Sequence, residues 1–236
     1  MAALPMGLPE LTTISARCGR DGQRTLLFCS TDPGDGASTV SYAMAQRIAG
    51  SGKRVLYVDF SPQSSYTCDG LQLPRQNWCL SGGIPRDAYF PIPGRNLTIL
   101  AAAKAPTYPL AYCETEIIRA LLSGWLSEYD VVIADAPPLN DDNKTGLPTE
   151  TLAAAFDCTV LVVLSGETLL VQLKKALDRL REAGCTIDGI VMNDRQMPDL
   201  RAEFSRQIEK IGGKLPRLVT WLKQWVETRR VFSVEF

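Results

Sequence analysis

Histidine is absent from all 236 residues. That excludes Ser-His-Asp and Cys-His catalysis and removes the commonest transition-metal ligand. The seven cysteines (Cys18, Cys29, Cys68, Cys79, Cys113, Cys158 and Cys185) are scattered and form no C-x-x-C pair. They make neither a zinc site nor a disulfide framework; the expectation is buried apolar thiols in a reducing compartment. No apolar run approaches the roughly 18 residues of a membrane span. The start, Met1-Ala-Ala-Leu-Pro-Met-Gly7, lacks the basic residues and apolar stretch of a signal peptide. A cytoplasmic location is therefore expected. The formal net charge of −1 gives no global field toward nucleic acid or anionic lipid, and no nucleic-acid partner is expected.

What is present is ordinary globular composition, with 45% hydrophobic and 22% charged residues. Residues 1–23 are punctuated by Pro and Gly and read as a leader; residues 24–236 read as one domain. Apolar runs predict strands at Thr25–Cys29, Arg54–Asp59, Asn96–Leu100, Asp130–Asp135, Thr159–Leu164 and Gly189–Asn193. Helical spacing predicts helices at Ser38–Gly50, Glu114–Leu126 and Leu169–Ala183, and the Pro-, Gly- and Ser-rich stretch from Ser61 to Arg95 predicts loops with short helices. Strands that read as unbroken apolar runs and alternate with helices imply an α/β fold: a mostly parallel central sheet with helices on both faces. Ligands in such sheets sit at the carboxyl ends of the strands, so Ser30 onward, Asp59, Asp135 and Asn193 are the informative positions.

The segment from Ser30 to Thr39, S-T-D-P-G-D-G-A-S-T, joins a strand to a helix as a phosphate-binding loop does. Such a loop works because consecutive backbone N–H groups and the helix N-terminus converge on phosphate oxygens. Pro33, Gly34, Asp35, Gly36, Ala37, Ser38 and Thr39 are the candidate nucleotide-binding residues. The common pattern is G-x-x-x-x-G-K-[ST]. Here Thr31 opens it and Ala37 stands at the lysine position. Ser38 keeps the hydroxyl that would ligate magnesium. Two strands ending in Asp59 and Asp135 complete the expected site, since an Asp there can hold magnesium or its waters. Each Asp alone reads equally well as a helix cap or turn former.

With those features the chain resembles the bacterial tyrosine kinases and kinase-like ATPases of capsule and exopolysaccharide assembly, relatives of the septum-positioning and partition ATPases. The family reads P-G-E-G-K-S-T-V, then G-K-R-V-L-L-I-D-A-D-L-R, then L-S-G, then F-D-x-V-I-I-D-T-P-P. This chain reads P-G-D-G-A-S-T-V from Pro33, G-K-R-V-L-Y-V-D-F-S-P-Q from Gly52, L-S-G-G from Leu80 and Y-D-V-V-I-A-D-A-P-P from Tyr129. The resemblance implies a P-loop NTPase-like fold, ATP or ADP with Mg2+ as cofactors, and Asp59 and Asp135 as catalytic residues. It assigns Ser38, Asp59 and Asp135 to the metal. Asn193 stands where the wider family reads the adenine edge, or is a strand-end turn residue. The implied partner is a membrane-anchored polysaccharide chain-length or export protein, which would hold the chain at the inner membrane; a homo-oligomer is also compatible.

Three departures decide the expected activity. Ala37 replaces the lysine that neutralises phosphate charge, Ser61 replaces the second Asp of D-x-D, and Gln63 replaces the following Arg. No tyrosine follows Tyr129, so the family's C-terminal tyrosine cluster is missing. A preorganised charge at a transferring phosphate is worth about 3–4 kcal/mol, or 10²–10³ in rate. Its loss cripples transfer and leaves nucleotide binding weakened or lost. Three readings remain open: a regulatory pseudokinase; an active ATPase or kinase with a compensating cation from Lys53, Lys104, Lys144 or a partner's Arg; and a partition-type ATPase, against which Asp32 stands at the signature-lysine position. Residues 208–230 carry Ile211, Leu215, Leu218, Leu222 and Trp225 at helical spacing with a basic excess, suiting either a last helix on the sheet or a surface that docks on a partner or membrane.

Overall fold

The computed structural model describes residues 11–14, 22–61, 66–75, 78, 83–103, 114–141 and 147–195. The predicted C-terminal helix of residues 208–230, with Lys104 and Lys144, lies outside the described residues. The chain divides into two units, Met1–Asn193 and Asp194–Phe236; the described residues belong to the first, save 194 and 195.

Among the described residues, seven strands form one sheet in the order β3-β4-β2-β5-β1-β6-β7. They are β1 Thr25–Ser30, β2 Val55–Asp59, β3 Tyr89–Pro91, β4 Leu97–Leu100, β5 Val131–Asp135, β6 Cys158–Leu164 and β7 Gly189–Asn193. All neighbours pair in parallel except β3 with β4, which is antiparallel. The helices are α1 Ala37–Gly50, α2 Tyr66–Leu71, α3 Thr115–Glu128, α4 Thr149–Ala155 and α5 Leu170–Glu182.

Side chains alternate across a strand, and here both faces are covered. One face carries Leu27, Cys29, Leu56, Val58, Val132, Ala134, Leu161 and Val163, packed with Ile118, Leu122 and Trp125 of α3 and Ala176 and Leu180 of α5. The other carries Leu26, Phe28, Val55, Tyr57, Val131, Ile133, Val160 and Val162 against Val40, Ala43 and Met44 of α1. Leu11, within the leader, is buried in this second cluster, and Thr12 accepts a hydrogen bond from Arg47 at 2.7 Å. Cys29 and Cys158 are buried. Burial pushes the Cys29 thiol up to about 12, with the charges of Asp135 and Glu150 adding, which makes it unreactive.

Two elements depart from expectation. The stretch Ser61–Arg95 was expected to hold loops and short helices, and it also contributes β3; three residues ending at Pro91 are too short to show alternation, and an edge position tolerates the proline. Helix α4 had no counterpart in the sequence reading because seven residues give barely two turns of periodicity.

The opposite end of the sheet also matters. Arg24 donates to the carbonyls of Leu126, Tyr129 and Asp130 at 2.8–3.0 Å, satisfying the end of α3.

Candidate functional site

Two glycines shape the loop after β1. Gly34 and Gly36 have φ of 96° and 100°, the left-handed region that side chains disfavour. At Gly36 the requirement is double, because a Cβ there would also collide with the Asn193 amide. Gly36 is the N-cap of α1, whose first turn has no side-chain capping hydrogen bond. An uncapped first turn offers N–H groups and the positive end of the helix dipole to the loop, which is the electrostatic basis of a phosphate site.

Asp35 turns inward, not toward solvent. Its Oδ2 accepts the Asp32 N–H at 2.9 Å, its Oδ1 accepts the Thr168 hydroxyl at 3.3 Å, and its carbonyl accepts the Asn193 amide at 2.8 Å. The Thr168 hydroxyl in turn accepts the Leu164 N–H at 3.1 Å. The loop is thus tied to the ends of β6 and β7 by the protein's own groups. Burial raises the Asp35 carboxyl above its ordinary value and the nearby Asp32 charge adds, while the Asp32 N–H pulls it back.

Register explains why the two strand-end acids meet. Asp59 and Asp135 are partners across the β2–β5 pair. They follow Tyr57 and Ile133 by two positions, so they share the face on which α1 packs. Each is only 1% exposed. Asp59 Oδ1 accepts the Ser61 N–H at 2.9 Å, a turn-forming role beside any metal role. Neither Asp135 oxygen has a fully formed hydrogen bond, although the Ser38 hydroxyl is near enough to favour the charged form. Burial drives the Asp135 carboxyl well above the usual carboxylate range, and the Asp59 charge reinforces it. Ser38, Asp59 and Asp135 are hard oxygen donors, and the orphaned Asp135 oxygens make the set a fit for Mg2+.

Beneath the acids runs a buried hydroxyl chain. Tyr57 lies 3.2 Å from the Ser41 hydroxyl and 3.1 Å from that of Thr67, and Ser41 also donates to the Ser38 carbonyl at 3.1 Å.

The lysine question has a geometric side. Ala37 is 5% exposed and brings no charge. Lys53 precedes β2, whereas the loop gathers at the carboxyl end of that strand, about 20 Å away at the usual rise per residue. Lys53 is therefore not the compensating cation. Among the described residues, the buried side-chain oxygens without a hydrogen-bond partner are Thr31 Oγ1, Asp32 Oδ2, both of Asp135 and Asn140 Oδ1. All lie at or just beyond the carboxyl ends of β1 and β5. Sequence reasoning placed Thr31 at the head of the loop without a role of its own and missed Asn140 and Thr168, whose hydrogen bonds join segments distant in sequence.

No protein-family model matches the chain. It is 23% identical over 177 residues to the tyrosine-protein kinase CpsD of Streptococcus agalactiae, covering 72% of this chain and 75% of CpsD. It is 25% identical over 171 residues to the tyrosine-protein kinase ptk of Acinetobacter johnsonii, covering 70% of this chain but 22% of ptk, so the chain spans less than a quarter of that longer relative. Among solved structures it superposes on the chimerical protein CapA2B2 with a TM-score of 0.68 at 22% identity, covering 81% and 87% of the two chains. The BceF tyrosine kinase domain gives 0.59 at 25% identity, covering 78% and 74%. A cobyrinic acid a,c-diamide synthase of Mycobacterium smegmatis with bound ADP and magnesium gives 0.58 at 20% identity, covering 81% and 82%. No described helix is long and apolar enough to cross a membrane.

Proposed function

We propose that the chain, which is similar to bacterial tyrosine-protein kinases and has a P-loop-type fold, is a regulatory pseudokinase of exopolysaccharide or capsule biosynthesis and export. It keeps the nucleotide pocket and has lost efficient phosphoryl transfer. Its partner is a membrane-anchored chain-length or export protein, which brings a cytoplasmic protein to the inner membrane. The carrying observation is the contrast at one loop. Gly34, Gly36 and the uncapped start of α1 provide the phosphate cradle, while position 37 provides an alanine where the family has its cation.

In this reading the loop from Pro33 to Thr39 binds the phosphates of ATP or ADP through backbone N–H groups. Ser38, Asp59 and Asp135 hold Mg2+, which when bound would offset phosphate charge. Asp35 keeps the loop in its binding shape from inside. Asn193 braces that same loop and, at the end of β7, borders the side from which a base would approach.

The test is a thermal-shift titration with ATP and ADP, with and without Mg2+. At about 100 times Kd a ligand adds ~2.7 kcal/mol, a rise of roughly 5–11 °C for a domain of this size. A magnesium-dependent rise supports the retained pocket. No rise at millimolar nucleotide, with one appearing in Ala37→Lys, removes nucleotide from the account and leaves partner binding alone. Polysaccharide output lost in Asp135→Ala at normal protein level would count against the pseudokinase and favour an active enzyme.

A further inference from the structure

Single exposed apolar residues are ordinary, whereas a contiguous group of them marks a contact surface. Among the described residues, the exposed large hydrophobics fall in two short segments. Leu169 (64%), Leu170 (80%) and Val171 (78%) open α5, and Ile190 (53%) and Met192 (70%) lie on β7. Hydrogen bonds hold the two segments at one corner. The Thr168 hydroxyl donates to the Asp35 carboxylate at 3.3 Å, and the Asn193 amide donates to the Asp35 carbonyl at 2.8 Å. The Ser165 N–H meets the Asn193 carbonyl at 2.7 Å. Leu169 follows Thr168 and Met192 precedes Asn193, so both stand at the carboxyl end of the sheet. Register settles the face: Ile190 and Met192 pair with Leu161 and Val163, which lie on the side that α5 covers.

Shape and charge select what meets this corner. Consecutive helical residues are turned by about 100°, so Leu170 and Val171 point in different directions, and Leu169 precedes them in extended backbone. A flat protein face would cover one of these side chains. A fluid lipid interface surrounds a tip and covers all three. Cations stand behind the tip. Lys174 and Lys175 are exposed and follow Leu170 and Val171 by four positions, so each lies one turn, about 5.4 Å, further back on the same side. That spacing sets apolar side chains at the acyl boundary and ammonium groups at the depth of lipid phosphates. Glu167 is the one acid in this stretch, against two ammonium groups. Further along α5, Arg181 pairs with Asp178 and Arg179 with Glu150, so neither pair adds net charge.

We propose that the amino end of α5, Leu169–Val171 with Lys174 and Lys175 and the adjoining Met192, is a direct contact with an anionic lipid surface. This goes beyond recruitment by a protein partner. It also sets the phosphate loop beside the membrane, because Thr168, the residue before the tip, holds Asp35.

The experiment floats the full chain with vesicles of phosphatidylcholine, or of an equimolar mixture with phosphatidylglycerol, without nucleotide or partner. The native protein should bind the mixed vesicles, and more weakly as salt rises. Leu170→Gln with Val171→Gln should weaken that binding at least about tenfold. Lys174→Gln with Lys175→Gln should weaken it roughly 10–30-fold. Tm should stay unchanged in both double variants, since the four side chains are exposed. No binding by the native protein would overturn the proposal. So would undiminished binding by either double variant, which would move the lipid contact to another segment, such as residues 208–230. Dimers in sedimentation velocity that dissociate in Met192→Lys, with no vesicle binding, would overturn it as well and give the face to a second copy. The vesicles carry no nucleotide, so the pseudokinase reading stands or falls separately.

Discussion

Replacing Asp135 by Asn removes a charge that folding forces into a place hostile to it. The carboxyl is buried, lies in register with Asp59 and has its pKa raised for both reasons. A carboxyl whose pKa rises on folding binds its proton more tightly in the native state than in the unfolded one. Between the unfolded value near 4 and the raised native value, the native state therefore holds up to one proton more. Stability must fall as pH rises across that window, by up to about 1.4 kcal/mol per pH unit, and level off above it. For a chain of this size that slope is about 3–6 °C of Tm per pH unit. In Asp135→Asn the contribution disappears, and the new amide can donate to the Asp59 carboxylate. The raised pKa of Asp35 adds a slope of the same sign to both proteins, so the difference between the two curves is the diagnostic quantity. Differential scanning fluorimetry from pH 4.5 to 8 without magnesium should show the variant gaining on the native protein as pH rises and melting several degrees higher at pH 7. Millimolar Mg2+ with ATP should stabilise the native protein alone. Parallel curves, or a variant that melts lower at pH 7, would refute the reasoning.

Other positions give independent checks. Gly36→Ala meets both an unfavourable φ and the Asn193 amide, and should cost about 1–3 kcal/mol. A double-mutant cycle with Asn193→Ala should relieve the collision while leaving the backbone strain, giving a coupling distinct from zero. Asn193→Ala alone removes the bond to the Asp35 carbonyl and should lower stability by about 1 kcal/mol; equal Tm values would mean that the brace carries nothing. Tyr57→Phe takes the phenol away from the buried Thr67 hydroxyl and from Ser41, which keeps the Ser38 carbonyl, and should cost about 1–3 kcal/mol in urea unfolding. Arg24→Met leaves three carbonyls at the end of α3 without a donor and should lower Tm while leaving nucleotide binding unchanged.

The parallel strands were readable in the sequence because both faces of the sheet are covered, so Val131–Asp135 and Cys158–Leu164 appear as unbroken apolar runs. The loop was readable too, since Gly34, Gly36 and the strand-helix junction carry its chemistry locally. What stayed hidden depends on contacts between distant segments. The tie between Asp35 and Thr168 joins residues separated by 133 positions, and nothing near Asp35 distinguishes an inward carboxylate from one facing a ligand. Asn193 has the same character: its strand-end position was evident, but its bond to the loop backbone was not. The pairing of Asp59 with Asp135 could be ordered along the chain but not paired, because β5 reaches the centre of the sheet only through the crossovers.

Magnesium-dependent phosphate release from ATP, measured side by side for the native protein and Ala37→Lys, tests the central claim most directly. The account predicts near-background release from the native protein and a gain of about 10²–10³ when the lysine is restored. Native release equal to that of Ala37→Lys, and abolished by Asp135→Ala, would contradict it: the chain would then be an active enzyme whose missing cation comes from somewhere else.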